Sequence, residues 1–173
     1  MRKAGRRRLV LGLLLASSGL LLARPGLARD ATPTGKKILT ISGKIGSGAA
    51  NAKVALDLAR LESLPQHSFT TQTPWQDKPA QFTGPLLRDV LASVKAQGSQ
   101  LKAIALNDYK VSIPVSDSQR FDVVLALRIN GELIPVRHKG PLFVVYPYDS
   151  HEELRSTLYY SRSIWQLKAI EVE

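Results

Sequence analysis

Short runs of alternating apolar and polar residues, each ended by glycine, proline, asparagine or aspartate, constrain this chain more than any other feature. KILTISGKI from Lys37 alternates as a strand and runs into the loop GSGAANAK. Val54, Leu56 and Leu58 resume the alternation, and ARLESLP makes one helical turn stopped by Pro65. His67 to Thr73 alternates again, with the threonine and phenylalanine that suit a pleated surface. One stretch alone keeps clear helical spacing: GPLLRDVLASVKAQGS, with Pro85 at its start, apolar Leu86, Leu87, Val90, Leu91 and Val94, and Gly98 as its stop.

LKAIALND and YKVSIPV then form two short strands around an Asn107-Asp108 turn. DVVLALRI and ELIPV flank Asn130-Gly131, a two-residue hairpin signal. GPLFVVYP is a buried apolar strand, DSHEELRS a short helix begun by Asp149 or Ser150, and SIWQLKAIEVE a terminal strand. Many short strands with a few short helices predict an α+β domain built on mixed, largely antiparallel sheet.

The N-terminus obeys a different logic. MRKAGRRRLVLGLLLASSGLLLARPGLARD places a basic run before an apolar run from Leu9 to Ala23, then small residues at Gly26 and Ala28. That order predicts a secretory signal peptide over residues 1–28, cleaved after about Ala28. The apolar run is short for the roughly 20 residues that span a bilayer, and Pro25 follows it. Arg6-Arg7 ahead of Leu9-Val10 also fits a twin-arginine signal, although the very apolar core favours the general secretory route. The expected product is a periplasmic protein, not integral to the membrane, with a flexible leader over residues 29–36 and a single domain over 37–173.

Cleavage changes the electrostatics. The full chain carries +10, but six of its 24 lysines and arginines lie in residues 1–28 and none of its 14 acids does. Eighteen cations against fourteen acids leave +4, and a nucleic-acid-binding role, which needs a clustered basic face, loses its support. With no cysteine there is no disulfide, no thiolate metal site and no cysteine nucleophile. His67, His138 and His151 are far apart, and none has a metal-ligand spacing. GSGAAN lacks the lysine of a phosphate loop, and no nucleophile-elbow pattern is present.

The eleven aromatic residues are more informative, because several stand beside turn chemistry. Trp75 follows Pro74, Tyr109 follows Asn107-Asp108, Tyr146 and Tyr148 flank Pro147, and Tyr159-Tyr160 precede Arg162. Such rings suit either a core plugged beneath loops or the faces of a flat heterocycle whose polar edge pairs with asparagine, aspartate or arginine.

LESLPQHSFTTQTPW, FTGPLLRDVL, LKAIALNDYKVSIPV, LALRINGELIPVRHKGPLFVVYP and SIWQLKAIEV, taken in order, resemble the molybdopterin-binding domain of the sulfite oxidase family. The resemblance runs from about Lys37 to the C-terminus. It implies a cysteine that binds molybdenum four residues before a tryptophan, and counting back from Trp75 puts Thr71 there. A threonine hydroxyl is a poor replacement for a soft thiolate. Phe143 also stands where the family commonly has arginine, and Ser161-Arg162 where it has Lys-Ser; His138-Lys139-Gly140-Pro141 keeps the family's shape.

The chain is more similar still to small, cysteine-free, exported relatives, some of which look like periplasmic pterin-binding proteins paired with membrane-bound cyclic di-GMP enzymes. That similarity implies a non-catalytic module that binds a pterin, reduced pterins included, or a like heterocycle, and acts on the periplasmic domain of a membrane signalling partner. The alternatives are a molybdopterin-dependent oxidoreductase or its subunit, and a ligand-free interaction scaffold. The candidate site takes in Thr71, Thr73, Trp75, Asn107, Asp108, Tyr109, Arg137, His138, Tyr148 and Arg162, with no metal ligand and no catalytic group. A carboxylate can accept two N–H bonds from a pyrimidinone edge, for which Asp108 is the first choice and Asn107 the alternative. Arg137 and Arg162 are the candidate cations, and Trp75 or Tyr148 the stacking face.

Overall fold

A computed structural model describes residues 35–46 and 52–173. The expected signal peptide, most of the leader and most of the GSGAANAK loop lie outside these residues. The period-two runs become strands of three sheets. The larger has five strands in the order β2-β1-β11-β5-β6. It comprises β1 (Lys37–Gly43), β2 (Lys53–Asp57), β5 (Gln100–Ala105), β6 (Lys110–Pro114) and β11 (Leu167–Val172). All neighbours are antiparallel except β1 and β11, which run parallel with Ile41 opposite Ile170. The C-terminal strand therefore lies at the centre of the sheet. The apolar members Leu39, Ile41, Leu101, Ala103, Ile170 and Val172 point into the core.

A four-stranded antiparallel sheet has the order β3-β4-β8-β9, with β3 (Gln66–Thr71), β4 (Ala80–Pro85), β8 (Arg128–Ile129) and β9 (Glu132–Leu133). β7 (Val124–Ala126) pairs antiparallel with β10 (Phe143–Val145), both fully buried. Packing of β4 against β7 closes the interior: a Cβ on Gly84 would stand 2.1 Å from the carbonyl oxygen of Leu125, so only glycine fits that crossing. One apolar cluster, which includes Phe82, Leu125, Phe143, Tyr146 and Leu167, joins all three sheets.

The α+β class with largely antiparallel sheets holds, and several boundaries shift. Pro85 ends β4 instead of opening the helix; α2 is Leu87–Ser93 with Leu86 at its N-cap, and it stops before Lys95, which takes φ 52°. DVVLALRI is divided between two sheets, since Leu127 leaves β7 and donates its N–H to the Thr83 carbonyl. The Asn130-Gly131 hairpin forms as expected, both residues at positive φ. Val115 opens α3 (Val115–Arg120) instead of ending a strand.

DSHEELRS yields only one 3-10 turn, Glu152–Leu154. Three elements have no counterpart in the sequence reading, strand β4, helix α3 and helix α4 (Thr157–Arg162). The first helix, α1 (Leu58–Glu62), is capped by the Asp57 carboxylate, which accepts from the Arg60 N–H at 2.9 Å.

Candidate functional site

Three chain segments meet beside the end of β3. The first is the Pro74-Trp75 turn. The second is the β5–β6 hairpin, where Asp108 takes φ 66° and donates its N–H to the Ala105 carbonyl. The third is α4 with the residues that follow it to Trp165. They enclose a half-open cleft of about 470 Å³. Its walls are aromatic: Trp75, Tyr109, Tyr160 and Trp165. Trp75 presents or receives ring edges from Phe143, Tyr160 and Trp165 at centroid distances of 5.8, 6.1 and 5.4 Å. These contacts hold the indole in place edge-on, the packing geometry that aromatic quadrupoles favour.

The polar lining is neutral. Asn107 accepts the Tyr109 N–H through Oδ1 at 3.2 Å, which leaves its amide N–H₂ with no acceptor among the described residues. Thr157, Ser161 and Ser163 supply hydroxyls from α4 and its end. Ser163 donates to the Tyr159 carbonyl at 3.0 Å and bonds the Tyr148 hydroxyl closely. Burial holds the Tyr148 phenol well above its ordinary pKa, with the Ser163 bond acting the other way. Tyr148 itself is buried and packs on Tyr160 at 5.1 Å, so it supports a cleft wall instead of lining the cleft.

Of the residues expected from sequence, Trp75, Asn107 and Tyr109 come together here, with Tyr148 beneath them. Asp108 adjoins the cleft without lining it: its side chain is 79% exposed and bonds Lys168 Nζ at 2.7 Å. That bond holds the carboxyl below the usual aspartate range. Arg162 is directed at the buried carboxylate of Asp117 at 2.8 Å and lies over the Tyr159 ring. Tyr146 donates its hydroxyl to the same Asp117 oxygen at 2.8 Å. Burial, then the Asp117 charge, keep the Tyr146 phenol protonated far above its ordinary pKa. Thr73 is buried and bonds Gln76 Oε1 through Oγ1 at 3.3 Å.

Arg137 and His138 are exposed and bond each other at 3.4 Å. His138 lines a second, separate groove of about 520 Å³ with Lys139 and Glu132.

Thr71 bears on the metal question. Its side chain is 1% exposed, and Oγ1 accepts the Asp149 N–H at 3.1 Å. The Asp149 carboxylate in turn accepts the Gln72 N–H at 2.7 Å and pairs with Arg155 at 3.1 Å. The hydroxyl thus tethers β3 to the loop after β10. Among the described residues no three histidine, aspartate or glutamate side chains converge as metal ligands. A hard, buried and already bonded hydroxyl does not fit a molybdenum centre ligated by the protein.

Sequence reasoning missed Trp165 and Ser163 as lining residues and placed Tyr160 only as an aromatic beside Arg162. The available signal was scarcity. The chain has two tryptophans, and both line this cleft.

No curated protein matches the chain. A family model described as the oxidoreductase molybdopterin binding domain matches residues 39–150, well over half of the chain, and spans β1 through the Asp149 loop. By that match the chain belongs to the oxidoreductase molybdopterin-binding domain family.

Proposed function

We propose that this protein is a non-catalytic module that binds a pterin-type heterocycle and passes its occupancy to a partner. One observation carries the reading: the cleft is walled by Trp75, Tyr109, Tyr160 and Trp165, while the position at which the family resemblance expects a thiolate holds Thr71, engaged with Asp149. Stacking surfaces are kept and the metal ligand is absent, so the domain retains means to hold a pterin ring without the means to hold molybdenum through its own side chain. The Asn107 amide faces the same space and offers hydrogen bonds to the ring's polar edge.

Export to the periplasm after cleavage near Ala28, and a membrane-bound signalling partner such as a cyclic di-GMP enzyme, complete the proposal. The basic-then-apolar N-terminus supports the first, and the likeness to small cysteine-free relatives supports the second. A ligand alters a partner only if it prefers one state of the protein or complex. Family membership favours a second reading, an oxidoreductase subunit that keeps molybdopterin without a protein thiolate. The third, a ligand-free scaffold, requires that the cleft stay empty.

Native mass spectrometry with metal analysis on residues 29–173, purified from periplasm without denaturation, separates the three. A bound pterin without molybdenum is the expected result. Stoichiometric molybdenum would establish the second reading, and an empty protein indifferent to added reduced pterins would establish the third.

A further inference from the structure

We infer that the cleft selects an uncharged flat heterocycle and discriminates against the same ring carrying a phosphate ester. The inference rests on the pterin-type reading above and concerns which member of that chemical class is taken. Among the described residues, the lining of the 470 Å³ cleft contains aromatic rings, hydroxyls and one carboxamide, and no lysine, arginine or histidine. A phosphate monoester carries up to two negative charges near neutral pH, and sites that hold one supply cations or charge-assisted hydrogen bonds. Without them, transfer of the charge out of water is uncompensated.

The cations close in sequence to the lining residues do not line the cleft themselves: Lys110, exposed beside Tyr109, acts on the Asp108 charge, and Lys168 and Arg162 are paired with carboxylates. Lys168 pairs with Asp108 at 2.7 Å, and neither residue lines the cleft. Arg162, next to two lining serines, points into the protein at Asp117, where it also balances the Tyr146 hydroxyl bond. Releasing it would leave a buried carboxylate without its counter-charge, which burial strongly disfavours. His138 and Lys139 line the other groove, which shares no residue with this cleft and includes Glu132. Gln166 marks the separation: its side chain donates to the Val136 carbonyl and its N–H to the Lys139 carbonyl, turning that loop's backbone towards the strand after Trp165.

The long-range field does not explain a preference for neutral ligands. The chain after Ala28 has a net charge of +4 and so attracts anions weakly. Rejection of phosphate must therefore be local.

The test is calorimetric titration of residues 29–173 with dihydroneopterin and, separately, its monophosphate ester, at about 0.15 M salt so that the net charge is screened. The expected result is binding of the free compound about tenfold or more tighter than its phosphate, with the ratio unchanged in Lys139→Gln. In Ser161→Arg, which brings a cation to the cleft, the ratio falls. Equal or tighter binding of the phosphate by the wild-type protein would overturn the inference while leaving the pterin-type reading intact. Failure of both compounds to bind would instead remove the reading itself, and this inference with it.

Discussion

Trp75 stands edge-on to Trp165, with ring centroids 5.4 Å apart and planes inclined at 75°. The two indoles come from positions ninety residues apart in the chain, one after the edge strand β3 and the other just before the central strand β11. Their contact brings the four-stranded sheet and the five-stranded sheet together at the cleft. An isolated bridge between Phe143 and Trp165 adds a backbone tie at the same point.

Because both tryptophans line the cleft, intrinsic tryptophan fluorescence reports on it alone. Titration with a reduced pterin is expected to quench most of the emission. Trp165 is 39% exposed but packs on Trp75 and Phe143, so Trp165→Ala should lower the melting temperature by several degrees without unfolding the domain while weakening the ligand about tenfold, the worth of one lost stacking contact. Unchanged affinity in a folded Trp165→Ala protein would move the binding surface elsewhere.

Asp117 is 3% exposed and accepts both the Arg162 guanidinium and the Tyr146 hydroxyl on one oxygen. Asp117→Ala strands a largely buried cation and a buried phenol together. The expected loss is about 3–5 kcal/mol of unfolding free energy by denaturant titration, large beside the stability of an ordinary domain. A loss under about 1 kcal/mol would show that Arg162 finds water or another acceptor.

At Gly84 the backbone of β4 meets that of β7. An added Cβ would lie 2.1 Å from the Leu125 oxygen and 3.0 Å from the Ala126 Cα, both main-chain atoms that cannot rotate away. Gly84→Ala is expected to cost about 3 kcal/mol or more, read as a drop in the denaturation midpoint. Gly46→Ala makes a useful contrast, since among the described residues, its chain neighbours aside, no atom lies within 4 Å of its Cβ. Its cost comes only from φ 63°, about 1–2 kcal/mol.

Alkaline stability follows from Tyr146 and Tyr148. Burial raises both phenol pKa values in the folded chain above the ordinary value, which is about 10 in the unfolded chain. The unfolded state therefore loses protons first as pH rises. Stability held in full below about pH 10 should fall progressively above it. Thermal melts from pH 8 to 11 check this, and Tyr148→Phe should make the decline shallower. A melting temperature flat across that range would contradict the burial of both hydroxyls.

Element types were readable where a residue pattern and its tertiary use coincide. Alternating KILTISGKI and LKAIALND became β1 and β5, and Asn130-Gly131 formed the hairpin its dihedral preferences demand. The misreadings have physical causes. GPLLRDVLASVK keeps helical spacing from Pro85, yet Gly84 and Pro85 are taken by sheet pairing with His67 and Gln66, and the helix starts two residues later. DVVLALRI has one uninterrupted apolar pattern and serves two sheets, because the chain bends at Leu127 to satisfy Thr83. Helix α4 has no capping side chain and only six residues, so TLYYSR carries little local signal; Tyr159, Ser163 and Arg162 hold it through the core and Asp117.

Residue identity and local periodicity were enough for the fold class, the absence of any thiolate and the presence of Thr71 at the position the family resemblance assigns to a metal ligand. The sequence also singled out Trp75, Asn107 and Tyr109. Tertiary structure alone decided what the candidate charges do. Asp108 could be matched to Lys168, Arg162 to Asp117 and Thr71 to the Asp149 backbone only once the chain had closed on itself, because these partners lie 45 to 78 residues apart. Those pairings leave a cleft lined by rings and neutral polar groups. A hydrogen bond or ion pair depends on distances of about 3 Å, and residue order does not contain them.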